Sequence, residues 1–292
     1  MTGEKTVNLD IDPIFKICLI IFAIAAVIAV GAWINHDYLA TGDKMASNGD
    51  SVEVNYTGTF YAYLGEDNAV VFDTSYSNIA NDDNIAKSND FTKKSTYSPL
   101  TYTIGGNTVL KAFGDAVIGH KVGEKVKVML SASEGYVGAI TTGVLQTTGN
   151  EMDIVQEMTK EQFTTAYPKV TLASGQMVKF DTKYTWAGYA MLAGDTVIIT
   201  NMPTAGTYEV YKSGNTVVNY VVTEVTDYII KYNIEVKNPV YVDGNQIQMI
   251  KIDLGEETIY ITSVSSTEIT YKTSAERVNQ PLYFEIELVS IN

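Results

Sequence analysis

From residue 49 to the C-terminus, apolar side chains recur at every second position over most of the chain. Successive side chains of a β-strand point to opposite faces of a sheet, so this period predicts strands with one buried face. Segments with helical spacing are few, and the chain is therefore expected to be mainly β. The clearest strands are predicted at Ser51–Tyr63, Ala69–Phe72, Leu100–Ile104, Glu124–Leu130 and Leu282–Ile291.

One segment has helical spacing instead, and it predicts a helix over Thr108–Val117 with Thr108 as its cap and Gly119 beyond its end. The polar stretch Ser75–Pro99 is too long for a tight turn and is expected to leave the sheet at an edge. The expected fold class is mainly β (α+β), with one short helix. The predicted apolar face of the helix consists of Val109, Leu110, Phe113 and Val117.

Near the N-terminus, residues 14–34 form an apolar run whose one charge, Lys16, lies in its first turn. A run of 21 residues is long enough to span a bilayer, which predicts a transmembrane anchor. A cleaved signal peptide is the alternative, although the apolar run is long for one and no good small-x-small cleavage site follows it. Residues 1–13 would be a short cytoplasmic tail and 35–48 a linker. We therefore expect the main domains outside the cytoplasm, on a single-pass membrane protein.

Charge and cysteine usage exclude several classes of function. Twenty basic and 34 acidic residues give a net charge of −14, which would repel nucleic acid. Cys18 is the only cysteine, and His36 and His120 are the only histidines, so neither an intrachain disulfide nor a Cys/His zinc site is possible. An acidic calcium site stays open, but no Asp-x-Asp-x-Asp-Gly loop occurs. We predict no metal and no cofactor.

Five segments, in this order, resemble the FKBP-type peptidyl-prolyl cis-trans isomerases. The segments are VEVNYTG at 52–58, VFDTS at 71–75, the stretch from Pro99 to Val128, SEGYVG at 133–138 and LYFEIELV at 282–289. The resemblance implies an FKBP-like domain made of residues 49–138 and 274–292, in which an antiparallel sheet wraps on one short helix.

About 140 residues separate the last two of these segments, where a minimal FKBP has only a flap. The resemblance therefore implies a large β-rich insert-in-flap domain at 139–273, as in SlyD-type and long archaeal FKBPs. The stretch EMTKEQFTTAYPKV, ending at Val170, is similar to the start of such inserts. Together with the predicted anchor, the pattern looks most like membrane-anchored FKBPs of methanogenic archaea.

The predicted insert contains two similar stretches, VTEVTDYIIKYN from Val222 and ITSVSSTEITYK from Ile261. Their Val, Thr, Ile and Tyr residues align, which predicts two strand–turn–strand units related by an internal repeat. The alternative is chance similarity between strands rich in these residue types.

The resemblance also implies a site. Rotation about an X-Pro bond needs no nucleophile and no proton transfer; an apolar cavity and a few oriented hydrogen bonds are enough. Phe113 would be the floor, the Leu110 N–H and the Tyr136 hydroxyl would donate to substrate carbonyls, and Asp73 would hold Tyr56 or meet the polarity of the twisting amide. By spacing alone, most of these side chains would be ordinary core residues. The remaining members of the implied cavity are Phe72, Leu100, Tyr102, Val109 and Phe284.

Some positions depart from the family pattern. Val137 stands where Gly usually follows the turn tyrosine, and SAERVNQ at 274–280 replaces an Asn-x-x-Leu-Ala-Gly segment. Two functions are consistent with this pattern. The first is a prolyl isomerase acting on exported or membrane proteins, with the insert as a chaperone-like domain that binds unfolded or proline-containing chains. The second is a non-catalytic FKBP-like subunit of a membrane or envelope assembly; a general holdase is a weaker third reading.

Overall fold

The computed structural model describes residues 44–253 and 257–292. The predicted cytoplasmic tail, the predicted anchor at 14–34 and most of the predicted linker lie outside these residues. No helix in the described ranges is long and apolar enough to cross a membrane.

The described chain divides into two compact units. One consists of the described residues up to Asn55, Pro99–Val126 and Ile286–Asn292, and the other of Tyr56–Ser98 and Lys127–Glu285. The predicted boundaries of an FKBP-like domain and an insert stay a prediction.

The prediction of a mainly β chain is confirmed, because the described residues form 18 strands and three short helices. The helices are α1 (Ser77–Asn81), α2 (Lys111–Asp115) and α3 (Lys160–Ala166). The strands are β1 (Ser51–Phe60), β2 (Val70–Thr74), β3 (Leu100–Thr103), β4 (Lys125–Leu130), β5 (Thr142–Gln146), β6 (Asn150–Asp153), β7 (Val155–Thr159), β8 (Met177–Asp181), β9 (Ala187–Ala193), β10 (Thr196–Asn201), β11 (Gly206–Ser213), β12 (Thr216–Val225), β13 (Ile229–Lys237), β14 (Tyr241–Asp243), β15 (Gln246–Asp253), β16 (Thr258–Val264), β17 (Glu268–Lys272) and β18 (Leu282–Ile291).

The first sheet has the strand order β2-β1-β18-β4, and β3 also pairs with β1. Antiparallel pairing sets Val52 opposite Tyr102, and Gly58 opposite Asp73. Strand β18 has the predicted bounds, and its even-numbered positions from Leu282 to Leu288 are buried. β1 ends three residues before the predicted Tyr63, because Tyr61 has φ = 69° and turns the chain out of the strand.

The predicted helix over Thr108–Val117 is wrong in its extent. Helix α2 covers only Lys111–Asp115, and its N-cap is Leu110, in an extended conformation and without a side-chain cap. Gly114 in its middle weakens the helix, and Gly119, with φ = 81°, follows in the turn beyond it. Val109 and Leu110 therefore lie before the helix rather than on its face.

Strands β7, β10, β9 and β8 form a second antiparallel sheet, in that order. Helix α3 begins with a capping box: the Gln162 N–H donates to Thr159 Oγ1, and the Thr159 N–H donates to Gln162 Oε1. The helix contributes Phe163 to a core that it shares with the sheet. The other buried members are Phe180, Ala190, Leu192, Val197 and Ile199.

Two further sheets share one core. Their strand orders are β11-β12-β13-β6 and β14-β15-β16-β17-β5. Buried Val, Ile and Tyr side chains from both sheets meet around Trp186 in a single apolar cluster, as in a β-sandwich. Consecutive strands β5 and β6 pair with β17 and β13, so the chain passes from one sheet to the other between them.

The predicted internal repeat is confirmed by two matching hairpins, β12-β13 and β16-β17. In each turn a hydroxyl residue, Thr226 or Ser265, donates its N–H to the carbonyl three residues later. Its hydroxyl also accepts the N–H groups two and three residues later. Each hairpin has one register shift, after Val222 in the first and after Ile261 in the second. These two positions are 39 residues apart, which is also the spacing of the repeat. Shared strands, turns and bulges argue against chance similarity.

Candidate functional site

Two of the predicted site residues, Tyr56 and Asp73, lie on the paired strands β1 and β2. The Tyr56 hydroxyl donates to Asp73 Oδ2 over 2.6 Å, and the Tyr56 N–H donates to Ser75 Oγ over 2.8 Å. Burial raises the pKa of Tyr56 well above its usual range, and the hydrogen bond and charge of Asp73 raise it further. The phenol therefore stays protonated and remains a donor to the carboxylate.

Asp73 has two more donors. Its Oδ1 accepts the Thr74 N–H at 2.8 Å and forms an ion pair with Lys94 Nζ at 2.6 Å. The same ammonium lies 5.8 Å from the centroid of the Tyr56 ring. Lys94 belongs to the polar segment between α1 and β3, so that segment contributes a cation to the predicted site.

Phe72 and Phe284 form the apolar part of this group. Their rings meet edge to face, with centroids 5.5 Å apart. Gly58 lies under both rings: a Cβ atom there would come within 2.5 Å of Phe72 Cζ and 2.8 Å of Phe284 Cε1. A larger residue at position 58 would therefore displace the two rings. Gly58 and Tyr56 occupy the same face of β1, two positions apart.

Tyr136 lies in the predicted turn, and the loop at 274–280 holds it. The Asn279 N–H donates to the Tyr136 carbonyl at 2.8 Å, while the Asn279 side chain bonds the N–H and the carbonyl of Gly138 at 3.2 and 3.0 Å. The Arg277 guanidinium lies 4.9 Å from the centroid of the Tyr136 ring. The negative charge of an ionised Tyr136 would add to the rise in the pKa of Tyr56, after burial and Asp73.

The remaining predicted residues lie in the other unit. The Tyr102 and Phe113 rings are in contact, with centroids 5.9 Å apart, and the Tyr102 hydroxyl donates to the Gly114 carbonyl at 3.1 Å. Val109 packs against Gly114, where an added Cβ would lie 3.0 Å from its Cγ2. Burial raises the pKa of Tyr102, so this hydroxyl also stays protonated. Leu100 pairs with Val54 on β1, and Leu110 caps α2.

The structure thus brings the predicted residues together as two groups. One group is Tyr56, Phe72, Asp73, Tyr136 and Phe284, and the other is Leu100, Tyr102, Val109, Leu110 and Phe113. That the two groups line one cavity stays a prediction. Within the described ranges, no three His, Cys, Asp or Glu side chains gather closely enough to hold a metal ion.

Sequence reasoning did not identify Lys94, Arg277 or Asn279 as neighbours of the site. Arg277 had a usable signal, since it is the only arginine of the chain and lies in the loop that departs from the family pattern. Lys94 had none, because it is one of several lysines in a polar segment.

Comparison with known proteins assigns the first part of the chain. Residues 42–152 match the family model of the FKBP-type peptidyl-prolyl cis-trans isomerases. No curated protein matches the chain. The matched range contains most of the predicted site, including Tyr56, Asp73, Phe113 and Tyr136. The chain therefore contains an FKBP-type domain at residues 42–152, of the family whose activity is peptidyl-prolyl cis-trans isomerisation.

Proposed function

We propose that this protein isomerises X-Pro bonds in exported or membrane polypeptides, and that the β-rich region at 139–273 first binds the extended chain. The observation that carries the proposal is the FKBP match over 42–152, in a chain that retains the Tyr56–Asp73 hydrogen bond beside the Phe72–Phe284 ring pair. Proline-containing polypeptides are the substrate class of this family.

Isomerisation of an X-Pro bond requires only an apolar cavity and hydrogen-bond donors, which the predicted site residues could supply. The barrier of about 18–20 kcal/mol arises from lost amide resonance, so a catalyst has only to favour the twisted amide. Aromatic walls would exclude water from the prolyl ring. The Tyr136 hydroxyl and the Leu110 N–H would donate to substrate carbonyls. Asp73 would keep the Tyr56 ring in place through the bond to its hydroxyl.

Exposed apolar side chains support a binding role for the region at 139–273. Tyr228, at the tip of the β12-β13 hairpin, is 79% exposed, and Val225 beside it and Tyr241 on β14 are also exposed. Isolated exposed apolar residues are common, so these side chains support the binding role only together with the family resemblance of the region. The apolar run at 14–34 supports a membrane anchor and hence exported or membrane proteins as clients.

This division of labour can be tested by comparing a peptide with a protein substrate. Tyr228→Ser together with Tyr241→Ser should slow the refolding of a proline-limited protein substrate while leaving isomerisation of a short X-Pro peptide unchanged. Thr267 occupies the place of Tyr228 in the repeated hairpin, so Thr267→Ser is the matched control and should change neither rate. If the double variant refolds the protein substrate at the wild-type rate, the binding role is wrong.

A non-catalytic subunit of a membrane or envelope assembly is the second candidate. Three features favour it. The Asp73 carboxylate is already paired with Lys94, and the Arg277 guanidinium covers the Tyr136 ring. Val137, next to Tyr136 in the chain, is 70% exposed. This candidate predicts no acceleration of any X-Pro peptide and co-purification with a partner in stoichiometric amount.

A further inference from the structure

Arg277 places an available positive charge beside the predicted site. Its guanidinium lies 4.9 Å from the centroid of the Tyr136 ring, and its side chain is exposed. Among residues 44–253 and 257–292, no carboxylate forms an ion pair with it. An arginine held on a ring keeps its planar edge of N–H donors free, and that edge matches a carboxylate in a two-point hydrogen bond.

The loop around Arg277 is held at both sides, and the guanidinium itself lies on the Tyr136 ring. On one side, Asn279 bonds to Tyr136 and Gly138. On the other, the buried Glu276 carboxylate accepts the Asn89 N–H at 2.9 Å and the Asn89 amide at 3.1 Å. A charge whose position is already fixed loses less conformational entropy when a ligand binds.

Three carboxylates of the same unit are engaged with partners other than Arg277. Asp73 is paired with Lys94 at 2.6 Å, so the predicted catalytic carboxylate presents little net charge to a substrate. Glu276 is 2% exposed and faces Asn89. Glu134 is held by the hydroxyl and the N–H of Ser131 at 2.6 and 3.0 Å. Arg277 thus carries a positive charge that none of these three carboxylates pairs with.

We propose that Arg277 is a specificity-determining residue that favours X-Pro substrates carrying Asp or Glu within two residues of the proline. The inference rests on the proposed isomerase function, because it requires a substrate chain lying over Tyr136. A chain whose carbonyl accepts the Tyr136 hydroxyl passes next to the guanidinium, where an acidic side chain can pair with it. Lys94 removes the repulsion that an unpaired Asp73 would exert on the same substrate.

The expected preference is modest, since the ion pair forms at a solvent-exposed rim. Exposed pairs change equilibria by factors of about two to five. Salt should weaken the preference, because the charges are separated by water-accessible space.

The experiment measures kcat/KM of the full chain on X-Pro peptides that carry Glu, Gln or Lys at each of the two positions before and after the proline. For the wild type, the Glu-to-Gln ratio should reach about two to five at one position at least, and Lys should be the poorest there. Arg277→Gln should bring that ratio to one, and Arg277→Glu should invert the order of Glu and Lys peptides.

Lys127→Gln is the matched control. Lys127 also lies over a tyrosine ring, that of Tyr63 at 4.7 Å, but it is paired with Glu285 and lies outside the predicted site. This variant should keep the wild-type charge preference. The control shows whether the charge preference depends on Arg277 itself or changes whenever a cation over a tyrosine ring is removed.

The outcomes distinguish the inference from the function on which it rests. If the wild type accelerates the Gln peptides but shows a Glu-to-Gln ratio of one at all four positions, Arg277 has no such role and the isomerase function stands. A ratio that persists in Arg277→Gln overturns the inference in the same way. If no peptide is accelerated, both the proposed function and the inference are wrong.

Discussion

Two groups of aromatic rings in this protein have different surroundings. In the region at 139–273, Trp186 stacks on Tyr184 at 4.7 Å, meets Tyr208 edge to face at 5.2 Å, and donates its indole N–H to Asn201. Trp186 is 2% exposed. Its ring is packed against other rings and its indole N–H is hydrogen-bonded inside the core. We therefore expect this cluster to stabilise the fold.

In the described residues, the Trp186 cluster has a cation near the Tyr184 ring, Lys183 at 5.2 Å, whereas two tyrosines of the predicted site contact charged side chains. The Tyr56 hydroxyl bonds to a carboxylate that is paired with Lys94, and the Tyr136 ring is 37% exposed beneath Arg277. Neither aromatic content nor a cation on a ring is enough to locate a site in this chain, since Lys127 lies over the Tyr63 ring outside the predicted site. The predicted site combines a phenol bonded to an ion-paired carboxylate with a partly exposed ring beside an arginine, and the variants below test the roles of the two groups of rings.

The largest expected effect is on stability, at Trp186. Trp186→Ala should lower the free energy of unfolding by about 3–5 kcal/mol, because it removes a large side chain from a closed core. Urea unfolding of the full chain measures the change. Tyr228→Ser removes an exposed ring and should stay within about 0.5 kcal/mol of the wild type. Equal losses in the two variants would contradict the structural role given to the Trp186 cluster.

A pH-dependent effect is expected at Glu276. Burial raises the pKa of this carboxyl, hydrogen bonds from Asn89 lower it, and the negative charge of Asp90 raises it. Together these effects give a pKa of about 7. Because the folded-state pKa lies above the usual value of 4.5, the folded protein binds the proton more tightly than the unfolded chain. Stability should therefore fall as the pH rises from about 4.5 to about 7, and then level off.

The measurement is urea unfolding across this pH range, in which Glu276 should account for a loss of up to about 3 kcal/mol. Glu276→Gln cannot ionise and should remove that part of the slope, even if its stability at low pH is lower. Glu157 is an exposed carboxylate, and Glu157→Gln should keep the wild-type slope. Identical slopes in all three proteins would contradict the ionisation of a buried Glu276.

The smallest expected effect concerns helix α3. Thr159→Ala removes one half of the capping box and should lower the free energy of unfolding by about 1 kcal/mol. Peptide isomerisation should be unchanged, because α3 belongs to the core formed with Phe163 and Phe180. A loss of peptide activity without a loss of stability would mean that this region takes part in the chemistry.

The local pattern of apolar and turn residues was sufficient to predict much of the fold. Strand β18 was predicted with its observed bounds, because alternating apolar residues over ten positions permit only one face to be buried. The two repeated hairpins were also predicted, since turn residues and strand residues recur together. Helix α2 was predicted too long, because its apolar spacing continues through Val109 and Leu110, which the structure places in a bend and at the N-cap before the helix.

The site was predictable only in part. The family resemblance placed Tyr56 and Asp73 in one site, although they are 17 positions apart in the chain. The hydrogen bond between them agrees with that prediction. The bonds between Asn89 and Glu276 join residues 187 positions apart, and no local pattern encodes such a contact. The partners Lys94 and Arg277 were missed for the same reason, because which loops contact the site depends on the packing of the whole region.

The most direct test of the proposed isomerase activity is the isomerisation of a short X-Pro peptide by the full chain, measured for the wild type, Asp73→Ala and Tyr136→Phe. We expect acceleration by the wild type, reduced roughly tenfold in each variant as each loses about 1.4 kcal/mol of transition-state stabilisation. A folded wild type without acceleration would rule out the activity, and variants as active as the wild type would rule out the predicted site.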